Sequence, residues 1–263
     1  MTQLQPTPTS ATPHTNGVAS LDTRAAVGTA PEWLDGGELA VLLRTLSTAG
    51  CCGILALDAD SVIRYAQGDV FDPALGTSKG VGTAIERLFR PELARERQEA
   101  FAQLARQRVP STILVDMVRG RELWWVSTPV YRGNELRGLA AVGMHPHADA
   151  KPTPEAPEMR RLRYVLSAGP LAKLTLGELE VLRLLAMGRR REEIAEDLRR
   201  TVKAVERRRT TLGRKLEAEH AGELVMVGLS AGLHRMSHPE LVRFAEANCG
   251  PNAPETGIAS ASA

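Results

Sequence analysis

The chain has 263 residues, enough for two compact domains at the usual size of about 100 to 200 residues each. Its 33 Lys and Arg nearly balance its 31 Asp and Glu, so the formal charge of +2 excludes a uniformly basic protein, and any nucleic-acid interface must rest on a local concentration of charge. No apolar run approaches the roughly 20 residues needed to span a bilayer, and no uninterrupted apolar stretch marks a signal peptide, so a cytoplasmic protein without a membrane partner is expected.

Residues 1–31 are rich in Thr, Pro, Ala, Ser and Gly and nearly free of large apolar side chains; they cannot form a core and are expected to be disordered. A helix is expected over 36–46, with Leu39, Ala40, Leu42, Leu43 and Leu46 on its buried side. GILALD (53–58) and SVIRYA (61–66) are short β-prone segments separated by Ala59 and Asp60, as in a hairpin. Residues 80–108 carry a helical pattern through Ile85, Leu88, Leu93, Phe101 and Leu104, with Pro91 breaking it or starting its second part. Strands are expected over 111–118, 121–130 and 135–144, joined by a turn at Arg119 and Gly120 and a loop at Arg132, Gly133 and Asn134 that suit antiparallel neighbours.

Trp124 and Trp125 are adjacent in one of these strands and so point to opposite faces. Both are ligand-pocket candidates: one walls a pocket while the other packs under a helix or at an interface, or both are core. Cys51 and Cys52 form a vicinal pair and Cys249 lies far away, which is not the four-ligand spacing of structural zinc. No metal site is assigned; the cysteines read as reduced and structural, with a redox or ligand role for the pair as the alternative. His145 and His147 flank Pro146, where a solvated linker histidine is set against weak metal binding. Residues 148–169 contain Pro152, Pro154 and Pro157 and then RRLRYVLSAG, a linker expected to start stiff and extended and then turn helical.

The segment 174–216 reads as three short helices. Thr175 and Glu178 have the capping-box spacing, Leu179, Val181, Leu182, Leu184 and Leu185 supply an apolar stripe, and Gly188 suits a left-handed helix end. Ile194, Ala195 and Leu198 mark a second, shorter helix with one buried side. Val205, Leu212 and Leu216 recur at helical spacing in a third, whose remaining surface holds Arg207, Arg208, Arg209, Thr210 and Arg214. Residues 159–216 hold 16 Lys and Arg against 7 Asp and Glu, so the charge missing from the whole chain is concentrated here. Such a patch neutralises phosphates, and a helix of this size fits a major groove.

The segment resembles the C-terminal helix-turn-helix domain of LuxR-type regulators, without gaps, through Leu174, Thr175, Glu178, Glu180, Val181, Leu182, Leu184, Ala186, Gly188, Glu193, Ile194, Ala195, Leu198, Val205, Leu212, Lys215 and Leu216. The resemblance implies that the third helix enters the major groove of double-stranded DNA and that a fourth, over 221–233, serves dimer contacts. By position it puts the DNA-facing residues at Lys203, Glu206, Arg207 and Thr210, with Arg214 reaching phosphate. Arg207 is the candidate for reading guanine and Lys203 for a backbone contact, while Glu206 either accepts from cytosine or pairs with a neighbouring arginine. The chain departs from the family pattern at Gly177 (usually Arg), Ala204 (Thr), Arg208 (His) and Arg200 (apolar).

The helix, two strands, helices, three strands order of the first half is similar to a PAS domain, which implies a five-stranded antiparallel sheet with short helices around a core that holds a small molecule or only side chains. A GAF domain is the nearest rival; a receiver domain lacks its acidic cluster and late lysine here. Residues 67–110 hold neither the histidine of PAS haem proteins nor the cysteine of flavin photosensors, and no cofactor is assigned.

The expected architecture is thus α+β followed by all-α: a tail (1–31), a PAS-like sensor or dimerisation domain (32–147), a linker (148–169), a helix-turn-helix domain with C-terminal helices including one over 239–250 (170–250), and a disordered tail (251–263). The expected function is a homodimeric transcription regulator of DNA driven by a small-molecule or protein signal, since two recognition helices must meet successive half-sites. The alternative is a protein-binding adaptor or anti-activator that retains a degenerate DNA domain, motivated by Gly177 and the substituted third helix. An enzyme is not expected, because no Ser/His/Asp set, phosphate loop or paired-carboxylate motif stands in a recognisable context.

Overall fold

The computed structural model describes residues 53–68, 80–147, 149–150 and 157–250. The expected helix over 36–46, the cysteine pair and both tails lie outside these residues.

The chain enters with a hairpin of β1 (Gly53–Asp58) and β2 (Ile63–Gly68). Asp58 shapes its turn: one carboxylate oxygen accepts the amides of Asp60 at 3.0 Å and Val62 at 2.9 Å, and Ser61 takes a φ of 59°. That extended turn delays β2 by two residues from the expected 61–66. Two helices follow, α1 (Ile85–Leu88) and α2 (Pro91–Gln107), with Pro91 at the start of the second, where its missing N–H costs nothing. β3 (Thr112–Val118), β4 (Arg121–Arg132) and β5 (Glu135–Met144) complete the antiparallel set close to the expected bounds.

The expectation of a five-stranded antiparallel sheet is corrected by β6 (Glu158–Arg161), which pairs parallel to β3 and makes a mixed six-stranded sheet of order β2-β1-β5-β4-β3-β6. The same strand corrects the linker, which does not turn helical after its prolines. The physical reason lies in β3, which is buried along its whole length and whose outer edge would otherwise leave unpaired backbone groups. The segment after β6 goes on covering that edge, with Leu162 donating to the Val115 carbonyl at 2.9 Å and Ser167 to that of Met117 at 3.0 Å.

The two faces of the sheet have different partners. Leu57, Leu114, Leu123, Trp125 and Ala141 face α1 and α2 and pack with Ile85, Phe89, Leu93 and Leu104. Opposite them, Ile113, Val115 and Trp124 form a smaller cluster, and Met117 inserts into the core of the helical region that follows. A buried ion pair ties α2 to the first face: Asp116, 2% exposed, receives the Arg97 guanidinium and also accepts the amides of Met117 at 2.7 Å and Leu166 at 3.0 Å.

Beyond a 3-10 turn at Gly169–Lys173, the helical region contains α3 (Leu176–Ala186), α4 (Arg191–Asp197), α5 (Val202–Leu216), α6 (Ala221–Ser230) and α7 (His238–Asn248). Its core is Leu179, Val181, Leu182, Ile194, Val205, Leu212, Leu224 and Leu241. α6 stops three residues short of the expected 233, because Gly232 turns left-handed at φ 67° and a 3-10 turn, Leu233–Arg235, follows.

Candidate nucleic-acid interface

The helices beneath the candidate interface are fixed by local chemistry and by two cross-helix bonds. Thr175 and Glu178 form the capping box of α3: Glu178 accepts from the Thr175 amide at 2.8 Å, and the Thr175 hydroxyl oxygen accepts from the Glu178 amide at 3.4 Å. The same Glu178 carboxylate takes the ammonium of Lys215, on the last turn of α5, at 2.7 Å. Burial opposes ionisation of Glu178, yet the hydrogen bonds from Lys215 and Thr175 outweigh it and hold the carboxyl below the usual carboxylate range. Lys215 also donates to the Lys173 carbonyl at 3.0 Å, so its position is structural.

The second bond joins two departures from the LuxR-type pattern. The Arg208 guanidinium lies over Gly177, donating weakly to its carbonyl at 3.5 Å, and a Cβ at Gly177 would stand 3.1 Å from the guanidinium carbon. The two departures are thus in direct contact, the Arg208 side chain lying where a side chain at position 177 would begin. Their positions are plain in the sequence, but their contact is not, since 31 residues separate them.

On the outer side of α5, Lys203, Glu206, Arg207, Thr210 and Arg214 are all exposed and follow at i, i+3, i+4, i+7 and i+11, one continuous stripe. Val205 and Leu212 point the other way, into the core. Among the described residues, Lys203, Arg207, Arg209 and Arg214 form no salt bridge. The open alternative for Glu206 takes a definite form: Arg191, at the start of α4, donates to it at 2.8 Å and to Glu192 at 2.7 Å. The Thr210 hydroxyl donates back to the Glu206 carbonyl at 3.1 Å. What remains free on the stripe is three cations, a geometry that can receive anionic oxygens or base edges along one groove.

The tryptophans part as strand geometry requires. Trp125 walls a cavity of about 40 Å³ lined by Leu55, Phe89, Phe101, Leu114 and Ser127, well below the roughly 300 to 1,000 Å³ of drug-sized ligand sites. Trp124 lies on the opposite face, beneath the guanidinium of Arg235 at 5.7 Å. His145 is part-buried and its ring Nδ1 meets the Glu122 carbonyl at 2.6 Å; burial pulls its pKa below the usual histidine value. Cys249 donates to the Leu171 carbonyl at 3.3 Å, and burial pushes its thiol up to about 12, so it is a packed group and not a reactive one. Among the described residues no cluster of three or more metal-ligating side chains occurs, and no helix is long and apolar enough to cross a membrane.

No protein-family model and no curated relative matches the chain. Among solved structures, it is similar to VqmA of Vibrio cholerae in complex with ligand and DNA, at 18% identity over 77% of this chain and 91% of that one, with a TM-score of 0.39. The Vibrio cholerae VqmA dimer in the absence of target DNA, a LuxR-type receptor, gives 20% identity over 77% and 92% of the two chains and a TM-score of 0.35. The phage VqmA complex with DPO gives 18% identity over 78% and 94%, also with a TM-score of 0.35. At these values the likeness assigns neither family nor activity, and the functional reading stands on the geometry of this chain.

Proposed function

We propose that the protein is a transcription regulator that reads double-stranded DNA with α5 and receives its signal, or its dimer partner, through a PAS-like sheet domain. The observation that carries this reading is the stripe of Lys203, Arg207 and Arg214: exposed, without salt bridges among the described residues, and mounted on a helix tied to α3 through Lys215 and Arg208. In the reading's terms Arg207 contacts guanine, Lys203 and Arg214 contact phosphate, Thr210 lines the groove, and Glu206 is steered by Arg191. The protein-binding adaptor is the second reading, motivated by Gly177 and the substituted α5 residues; the contact of Arg208 with Gly177 favours a retained scaffold over a degenerate one.

The test is fluorescence anisotropy of the full chain against DNA fragments tiled from its own chromosomal neighbourhood, at about 150 mM salt with excess competitor DNA. Preference for one fragment, lost in Arg207→Ala, supports sequence reading. Uniformly weak binding across genome-wide fragments by a folded protein favours the adaptor.

A further inference from the structure

The signal-receiving sheet and the DNA-reading helices meet at a polar contact formed around one carboxylate. Glu122, near the start of β4, is only 1% exposed, although a carboxylate at a strand end would ordinarily face water. One of its oxygens accepts Arg161 of β6 at 2.8 Å, and the other accepts Arg235 through Nε at 2.9 Å and through Nη2. Arg235 belongs to the 3-10 turn after α6, 113 residues away. The sheet side holds that guanidinium at two further points, the ring of Trp124 and the His147 carbonyl at 3.3 Å. Gly232 makes the approach possible, because a Cβ there would overlap the Glu122 carboxylate.

From the turn, the contact continues into the helices that carry the reading stripe. Arg183 of α3 donates to the Met236 carbonyl at 2.7 Å, and α3 in turn holds α5 through Glu178 with Lys215 and Gly177 with Arg208. Beside Arg161 the packing is incomplete. A cavity of about 240 Å³ separates β3 from α7, lined by apolar Val115, Met117 and Phe244 and by charged Arg161 and Glu240, whose side chains stand 3.8 Å apart. Apolar packing across the boundary is carried by Met117, which enters the helical core, and directional ion pairs add orientation where the cavity interrupts that packing.

We propose that Glu122 is a positioning residue: with Arg235 and Arg161 it forms a clamp that fixes the orientation of the DNA-reading helices on the sheet, and opening the clamp lets them swing. The orienting role for DNA rests on the proposed function, whereas the clamp itself does not.

The deciding experiment is pulsed EPR on the full chain, with nitroxide-bearing unnatural residues at the exposed positions 132 and 219 and dilution with unlabelled protein. The native chain is expected to give one narrow distance distribution. Glu122→Gln and Arg235→Lys, which keep size or charge while weakening the paired fork, should each broaden or shift it. The double variant should do no more than either single one, since both act on one clamp. An unchanged distribution in Glu122→Gln, or single effects that add in the double variant, would overturn the clamp. Anisotropy supplies the second arm: Glu122→Gln should weaken the preferred fragment roughly tenfold, a usual size for coupling between sites, and leave competitor DNA binding unchanged. An unchanged affinity in that variant overturns the orienting role. A native chain that binds no fragment removes the DNA reading, and the distance distributions then judge the clamp by themselves.

Discussion

Two sets of arginines in this chain sit in opposite environments. Those on the outer face of α5, Arg207 and Arg214, are exposed and form no salt bridge among the described residues, while Arg97, Arg161 and Arg235 are directed at the carboxylates of Asp116 and Glu122, which are 2% and 1% exposed. A cation in water costs nothing to leave unpaired and stays available to an outside anion; one enclosed by protein persists only if a carboxylate meets it with good geometry. The same residue type is thus a framework element in one region and, in the proposed function, a binding element in the other. Environment, rather than the count of positive charges, separates the two.

The sharpest way to break this comparison is to remove a framework partner. Asp116→Ala should destabilise the fold by about 3 to 5 kcal/mol, since it strands the Arg97 guanidinium and leaves the amides of Met117 and Leu166 without their acceptor. Urea denaturation followed by tryptophan fluorescence measures it. A loss below about 1 kcal/mol would mean that Arg97 finds enough in the carbonyls of Leu93 and Tyr164, both 3.3 Å away, and that the pair is dispensable. Arg207→Ala makes the opposite prediction, with stability moved by no more than about 0.5 kcal/mol and affinity for a specific site reduced by about 1 to 3 kcal/mol. Lys203→Ala should weaken all DNA alike and lower the salt slope by about 1, which anisotropy at several salt concentrations would show. If Arg207→Ala unfolds the protein instead, the stripe belongs with the framework.

These two groups were unequally legible in the sequence. The α3 capping box, the break before Pro91 and the exposed stripe of α5 rest on spacings of a few residues, and the sequence alone places them. The contrast within β3 to β5 was also local, since adjacent tryptophans in a strand must diverge. What escaped was non-local and polar. β6 is short, and its Arg160 and Arg161 stand in a stretch expected to turn helical until β3, 46 residues earlier, offers an edge to pair with. Glu122 carries no signal of its own within the strand expected over 121–130, and its burial depends on Arg235, 113 residues away. Charged residues carry little periodic signal, so a buried pair between distant elements leaves no pattern behind.

Acid titration extends the framework side of the comparison to weaker groups. His145 is held neutral by burial, so its folded pKa lies below the unfolded value of about 6.5. Below that pH the unfolded chain takes up a proton that the folded one refuses, and stability falls with pH until the folded pKa is reached. Glu178 adds a second, more acidic loss: its lowered carboxyl pKa stabilises the fold above the ordinary value of about 4.3, and that stabilisation disappears as pH falls through the folded pKa. His145→Gln should flatten the stability profile just below pH 6.5 and leave the lower limb in place, with Glu178→Gln doing the reverse. Urea midpoints taken across the range would separate them, and a profile unchanged by either substitution would place the acid sensitivity elsewhere.

The smallest effect tests whether Gly177 and Arg208 form one unit. Glycine in the first turn of α3 gives up as much as about 1 kcal/mol of helix propensity relative to alanine, so Gly177→Ala by itself should stabilise. The added Cβ, however, would stand 3.1 Å from the Arg208 guanidinium and push it from its seat. In the native background the gain should therefore shrink to a few tenths of a kcal/mol or vanish, and in an Arg208→Ala background it should reappear, with a coupling of about 0.5 kcal/mol. Equal gains in both backgrounds would show that the guanidinium gives way freely. Arg208 would then count with Arg207 as a cation available to DNA, and the division between binding and framework arginines would have to be redrawn within α5 itself.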